Sequence, residues 1–342
     1  MTQQSSPLRV DMISESEFTV QGHGVHTAYV EMRDSLRQLP KEVDIKTNTA
    51  GKFDIVHVHT VGLYSLWRLL FSGRRRVVSA HVVPDSFIGS LKGARVWRPL
   101  AKWWLRFFYN RADLVLAVST YTKAELQKLG VKRRIEVLYN TIDTKKYHTS
   151  PQLKKAARQS LGIDQDAFVV ISSGQVQPRK RVDVMAAIAR RLPDTTVIWV
   201  GGVPFGAVAA DNRSMQHMMN HPPQNMMFTG VVPLEAMVDY YRAADVFVLP
   251  SEQETFGLVV VEAAAAGLPV VLRDIHDYDD TFRGGAVMAE ADDDFIRAVQ
   301  RLRDDAELYA QQQTAAGRIA QRFDSKAGAE RLLTLYRELL ES

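Results

Sequence analysis

The chain contains no cysteine, and so it has no disulfide, no thiolate metal site and no cysteine nucleophile. It also lacks an uninterrupted apolar run of the length that a membrane-spanning helix requires. The opening segment MTQQSSPLRV has no apolar centre of the kind found in a secretory signal peptide, and a cytoplasmic protein is therefore expected. Charge of one sign is not in large excess: 43 lysines and arginines stand against 39 aspartates and glutamates. The net charge of +4 says little about partners, although its distribution says more. What is present is ordinary for a soluble globular chain, with 46% apolar and 24% charged residues over 342 positions. That length accommodates two domains, each with its own core.

The rest of the chain is best organised around the stretch from Phe247 to Leu272, FVLPSEQETFGLVVVEAAAAGLPVVL. Phe247, Val248 and Leu249 read as a short buried strand closed by Pro250. A polar loop, Ser251 to Glu254, leads into a helix over Phe256 to Ala266, which Gly267 and Pro269 stop. Pro269 to Leu272 form the next strand. In such a unit the loop lies at the carboxyl end of the strand, and free N–H groups at the helix start favour an anion such as phosphate. Glu254 precedes the helix and Glu262 lies about two turns into it, so both can face one ligand crossing the helix end. Glu254 also suits the helix dipole as a plain N-terminal charge. Glu262, alone among valines and alanines, needs hydrogen-bonding partners once buried, and sugar hydroxyls are suitable ones.

The sequence from Glu254 to Glu262, followed by Ala-Ala-Ala-Ala-Gly-Leu-Pro, resembles the signature of the retaining glycosyltransferases of family four, two glutamates separated by seven residues. The resemblance extends over nearly the whole chain. It implies an α/β fold of GT-B architecture, two Rossmann-like doubly wound parallel-sheet domains facing a cleft. It also implies that Glu254 binds donor-sugar hydroxyls and Glu262 the ribose of the nucleotide, while Thr255, Phe256, Gly257 and Leu258 meet the diphosphate. The composition turns polar near Pro151, which places the linker there. The expected division is residues 1–150 as the acceptor-side domain, 151–325 as the nucleotide-sugar domain, and 326–342 as a helix packing back toward the first.

Taken in order, Leu8 to Ser14 read as the first strand, and Gly22, His23 and Gly24 precede a helix. Glycines at such a turn let backbone approach a phosphate or an acceptor closely, although a plain strand-to-helix turn has the same pattern. The resemblance implies a glycine-rich loop of the catalytic cleft here. His57 and His59 fall on one side of a strand; with no third ligand evident nearby they read as structural rather than metal-binding. Val77 to His81 form another strand, and His81 stands where open α/β sheets contact ligands. The resemblance places it at the donor sugar or the reacting centre, the alternative being a satisfied structural histidine.

Residues Arg95 to Tyr109 carry Arg95, Arg98, Lys102 and Arg106 on one helical stripe, with Trp97, Leu100, Trp104, Phe107 and Phe108 opposite. Pro99 requires the helix to begin close to it. From Arg74 to Arg111 there are nine basic residues and one acidic residue, Asp85. This stretch fits an anionic membrane surface, which assigns Trp97, Arg98, Lys102, Trp103, Trp104 and Arg106 to the membrane or acceptor side. A helix flanking a sheet with solvated arginines has the same sequence. No nucleic-acid module accompanies the basic patch, and no nucleic-acid partner is expected.

In the second half, Arg179 and Lys180 lie in a strand-to-helix loop, where cations can neutralise a diphosphate leaving group. Gln175 stands where the family has an arginine, which leaves that task to Arg179 and Lys180. Thr141 replaces the glycine common in the family's Asn140 to Asp143 loop, which argues against a left-handed backbone there. The aspartates at 279–280 and 292–294 read as solvated loop or helix-start charge, and no metal or cofactor is expected. The resemblance implies hexosyl transfer with retention, from UDP-glucose or UDP-galactose to a membrane lipid such as diacylglycerol, at the inner face of the cell membrane. A soluble sugar or polysaccharide acceptor and a sugar-nucleotide epimerase are the alternatives.

Overall fold

The computed structural model describes residues 6–18, 24–71, 74–84, 94–202 and 212–342. The chain divides into two compact units: Met1–Asp85, Val96–Asp143 and Phe323–Ser342 form one, Ser86–Arg95 and Thr144–Arg322 the other.

The first unit alternates strands and helices: β1 (Leu8–Ile13), α1 (Gly24–Arg37), β2 (Val43–Thr47), β3 (Ile55–Val58), α2 (Leu63–Phe71), β4 (Arg75–Ala80), α3 (Ala94–Tyr109), β5 (Leu114–Ala117), α4 (Thr120–Leu129) and β6 (Arg134–Val137). The six strands pair in parallel in the order β2-β1-β3-β4-β5-β6. β3 and β5 are buried throughout, as the continuous apolar runs of a sheet covered on both faces demand. The order reverses between β1 and β3, so loops at their carboxyl ends border this sheet's crevice.

The second unit repeats the plan with α5 (Pro151–Leu161), β7 (Phe168–Ser173), α6 (Val182–Arg191), β8 (Thr195–Val200), α7 (Asn212–Asn220), β9 (Met226–Phe228), α8 (Leu234–Ala243), β10 (Val246–Leu249), α9 (Leu258–Ala265), β11 (Val270–Arg273), β12 (Val287–Ala289), α10 (Asp292–Asp304) and α11 (Ala306–Arg322). Its parallel order is β12-β11-β10-β7-β8-β9. Here the reversal falls between β7 and β10. Val170, Val197, Trp199, Val246 and Val248 form the core with α6 and α10.

The last helix, α12 (Ser325–Glu341), belongs to the first unit. Its Leu332, Leu335, Tyr336 and Leu339 share a core with Val10, Ile55 and Val77 of the sheet. The Tyr336 hydroxyl lies 2.6 Å from His57 Nδ1, and the other ring nitrogen of His57 is 2.8 Å from Ser79 Oγ. Burial, followed by the nearby His81, pushes the His57 imidazole down to about 3, so it is neutral at physiological pH. Replacing Tyr336 by Phe leaves a buried ring nitrogen without a partner, at a cost of about 1–3 kcal/mol. A fall of the melting temperature by about 3–10 °C is expected, and calorimetry of the variant checks it.

Three sequence-based expectations are corrected. Pro151 is not in a linker: it is the first residue of α5, whose cap Ser150 accepts the Leu153 N–H at 3.2 Å and whose stop is Gly162 at φ 67°. The units divide at Asp143 instead. α3 begins at Ala94, five positions before Pro99, and tolerates the missing N–H inside the helix. Its buried stripe is Ala101, Leu105, Phe108 and Tyr109, whereas Leu100 is 65% exposed and so does not belong to the inner face. Among the described residues no helix is long and apolar enough to cross a membrane.

Candidate active site

The two loops that follow β7 and β10, the strands flanking the reversal, bring the second unit's candidate residues together. Gly174 extends β7 at φ 137°, and a Cβ there would lie 3.6 Å from the Lys180 side chain. Lys180 is buried, and the next residue, Arg181, holds a left-handed backbone at φ 52°, an unusual state for a residue with a side chain. Arg181 is fixed by Asp183, Glu252 and Asp292, with N–O distances of 2.8, 2.8 and 2.5 Å. Asp292 is therefore more than the solvated helix-start charge its sequence suggests, since Arg273 also donates to it at 2.6 Å.

Lys180 donates to Glu254 Oε1, and each residue is only 8% exposed. Arg179 Nη1 donates to the Gln253 carbonyl at 2.9 Å and lies 3.8 Å from the other Glu254 oxygen. Burial alone would raise the Glu254 carboxyl, but Lys180 and then Arg179 outweigh it and hold it below the usual range. Burial also lowers the Lys180 ammonium, against the pull of Glu254. The pair is thus a buried ion pair poised beside a third charge.

The Glu254 N–H donates to Asp277 Oδ2 at 2.8 Å. Burial pushes the Asp277 carboxyl up to about 6, and the hydrogen bond from Glu254 only partly offsets it. Because this folded value exceeds the ordinary 3.8, Asp277 favours the fold in acid and that contribution is lost as pH rises through about 6. Asp277→Asn keeps an acceptor and cannot ionise. It is expected to match or exceed the parent's urea stability near pH 8 and to lose that advantage near pH 4.5.

Glu262 sits inside α9, 5% exposed, and accepts the Tyr241 hydroxyl at 2.7 Å. The hydroxyl of Ser173, at the end of β7, lies 2.8 Å from the same tyrosine oxygen and donates to it. The buried carboxylate therefore has a protein partner. Thr255 and Phe256 precede Gly257, which takes φ 93° as the residue before α9; a glycine has no side chain to cap the helix, and among the described residues no side-chain hydrogen bond is made to the N–H groups of Gly257, Leu258 and Val259. The helix starts at Leu258 rather than at Phe256 because this left-handed glycine turns the chain into it. The buried Tyr278 hydroxyl has no hydrogen-bond partner among the described residues.

In the first unit, Gly22 and His23 lie outside the described residues. Gly24 opens α1 with open space where a Cβ would sit, so packing alone does not require glycine. His81 follows β4, 7% exposed, with its Nε2 3.3 Å from His59 Nδ1. His59 Nε2 is buried with no hydrogen-bond partner among the described residues, and burial holds this ring neutral. A bare lone pair is cheaper to bury than a bare N–H, which assigns the His59 proton to Nδ1, donating to His81 Nε2. Long-range nitrogen–proton NMR of histidine-labelled protein is expected to show that tautomer at His59. Among the described residues no group of three His, Cys, Asp or Glu is arranged to hold a metal ion.

The side chain of Trp97 falls outside the described set. Trp104 donates to the Val61 carbonyl at 2.8 Å and so ties α3 to the loop before α2. Trp103 is 59% exposed, and Lys102 and Arg106 are exposed beside it. Ser173, Arg181, Tyr241 and Asp277 were not singled out from the sequence. Only the adjacent basic residues around Arg181 gave any signal.

Residues 16–146 match the family described as Glycosyltransferase Family 4, and residues 154–318 that described as Glycosyl transferases group 1. The chain is 34% identical over 283 residues to an alpha-galactosylglucosyldiacylglycerol synthase of Streptococcus pneumoniae, covering 81% of this chain and 75% of the relative. It is 26% identical over 277 residues to a processive diacylglycerol alpha-glucosyltransferase of Acholeplasma laidlawii, covering 80% and 81%. The fold is shared with the Anabaena protein HepE, solved in complex with UDP and glucose, at a TM-score of 0.76, 20% identity and coverage of 97% and 100%. Two doubly wound sheets, the paired glutamates of α9 and its preceding loop, and the extent of these matches lead to one conclusion: the chain belongs to the family 4 glycosyltransferases.

Proposed function

We propose that the enzyme moves a hexose from UDP-glucose or UDP-galactose to a hydroxyl of a membrane glycerolipid, diacylglycerol or one already carrying a sugar, with retention of configuration. The observation that carries this reading is the cluster of Arg179, Lys180 and Glu254 beside the uncapped start of α9. Glu254 is suited to the hydroxyls of the transferred sugar and Glu262 to the ribose. Arg179, Lys180 and the N–H groups of Gly257 to Val259 are suited to the charge that develops on the departing diphosphate. Thr255, Phe256 and Leu258 supply the backbone around that group. With this charge met by the protein, the reading calls for no metal ion.

In the first unit, His81 remains the candidate sugar-contacting histidine. UDP as the nucleotide is supported by the Anabaena protein, and the lipid acceptor by the relatives' names. Both names carry alpha, and UDP-glucose and UDP-galactose are themselves α-linked, which supports retention. The mechanism proposed is front-face transfer, with the donor phosphate taking the acceptor proton; a trapped covalent glycosyl-enzyme would contradict it.

Membrane association is supported by exposed apolar side chains on α2 and α3, Leu63, Trp67, Phe71, Leu100 and Trp103, beside Lys102 and Arg106. The experiment is incubation with each donor and vesicles containing diacylglycerol or monoglucosyl-diacylglycerol, followed by NMR of the extracted lipid. An α-anomeric coupling in a glycolipid is expected; a β-linked product would overturn retention, and an unmodified lipid pool the acceptor.

A further inference from the structure

Three hydrogen-bonded side chains stand in a row at the reversal of the second unit's sheet. Ser173 ends β7, Tyr241 lies in α8 and Glu262 in α9. Ser173 Oγ is 2.8 Å from the Tyr241 hydroxyl oxygen, which in turn is 2.7 Å from Glu262 Oε2. The tyrosine hydroxyl has a single proton and gives it to the carboxylate, so Ser173 supplies the other bond from its own hydroxyl. Burial, then the neighbouring Glu262, raises the Tyr241 phenol well above its ordinary value, and it stays a neutral donor.

Folding alone does not call for this row. All three side chains are buried, and apolar side chains of similar volume serve a core as well or better. Its place gives it a use. Ser173 stands at the carboxyl end of β7, beside β10, where open α/β sheets take their ligands. Glu262 lies four residues behind the first residue of α9, about 6 Å along the helix axis. A diphosphate at that helix start would bring its ribose beside Glu262. A carboxylate offers about four acceptor sites; Tyr241 uses one and so fixes the plane in which the others lie. A ribose diol needs that plane fixed, because its two hydroxyls approach along set directions. The Tyr241 ring is itself held, edge-on to Tyr147 at 5.9 Å and against Phe247 at 6.1 Å between centroids.

We infer that Tyr241 is a positioning residue that holds Glu262 in the orientation that reads the ribose diol, that Ser173 holds Tyr241, and that the row sets a preference for ribonucleotide over deoxyribonucleotide donors. The inference rests on the assignment of Glu262 to the ribose and goes beyond it, since Tyr241 acts only through the glutamate.

The experiment is isothermal titration calorimetry of the whole protein with UDP, 2′-deoxy-UDP and 3′-deoxy-UDP. It reads the ratio of affinities, so that a general loosening of the fold cancels. The parent is expected to bind UDP on the order of ten- to a hundredfold more tightly than the weaker of the deoxy forms, as for a hydrogen bond to a charged group. Tyr241→Phe keeps the ring and is expected to cut that preference to about two- to fivefold. Ser173→Ala keeps the bond to Glu262 and is expected to reduce the preference by a smaller factor, about two- to threefold; should the first variant not fold, this one carries the test. In a Glu262→Gln background, Tyr241→Phe is expected to change the ratio no further, because a residue acting through Glu262 has no other route. A further change there, or a parent that discriminates beside variants that discriminate equally, would overturn the inference and leave the ribose reading standing. A parent that holds all three nucleotides alike would overturn the ribose reading and the inference with it.

Discussion

Glu254→Gln abolishes transfer, with a loss of at least about a thousandfold in kcat/KM expected from removing a buried charge that orders the donor site. The substitution changes little in shape, but it strands Lys180 as a buried cation whose partner carboxylate is gone. Breaking a buried pair from one side costs about 3–5 kcal/mol. Lys180 limits that cost by giving up its proton, since burial already lowers its ammonium. The loss of stability should therefore be larger in acid, where the lysine stays charged, than in base. Transfer assays and urea melts at two pH values check both halves of the expectation.

The second large effect separates chemistry from packing. Replacing both partners, Lys180→Met with Glu254→Leu, removes the buried charges together. Apolar substitutes of similar volume are often neutral or stabilising, so the double variant is expected to recover most of the stability that Glu254→Gln loses. Transfer is expected to stay absent, because the carboxylate and the cation proposed to meet the sugar and the diphosphate are both gone. Recovery of activity along with stability would reduce the pair to a structural element and move the chemistry elsewhere.

Much of this was legible in the sequence. The apolar runs fixed the strands, and the unit from Phe247 to Leu272 exposed the loop at a strand's carboxyl end and the two glutamates around a helix start. The partners of those glutamates were not legible, because topology rather than local sequence supplies them. Ser173 reaches Tyr241, and Tyr241 reaches Glu262, only because β7 and β10 are neighbours across the reversal. Of the adjacent tyrosines at 240 and 241, helix phase alone decides that the second is buried. Asp277 stands just before the aspartates at 279–280 that read as solvated and carries no motif of its own, yet it accepts the Glu254 N–H from across the loop.

The apolar stripe expected for α3 holds at Phe108, which is fully buried, and fails at Leu100, whose place on the inner face is taken by Ala101 and Leu105. The polar turn in composition near Pro151 marks a helix start rather than a linker, because Ser-Pro is also a cap followed by a first helical residue. In both places composition is silent where geometry decides.

The most direct test of the central claim follows radiolabel from UDP-glucose and UDP-galactose in the presence of diacylglycerol-containing anionic vesicles, with partition into organic and aqueous phases. Label entering the organic phase with the parent enzyme and absent with Glu254→Gln is the predicted result. Label confined to the aqueous phase with both donors would contradict a lipid acceptor, and equal organic label with Glu254→Gln would contradict the site.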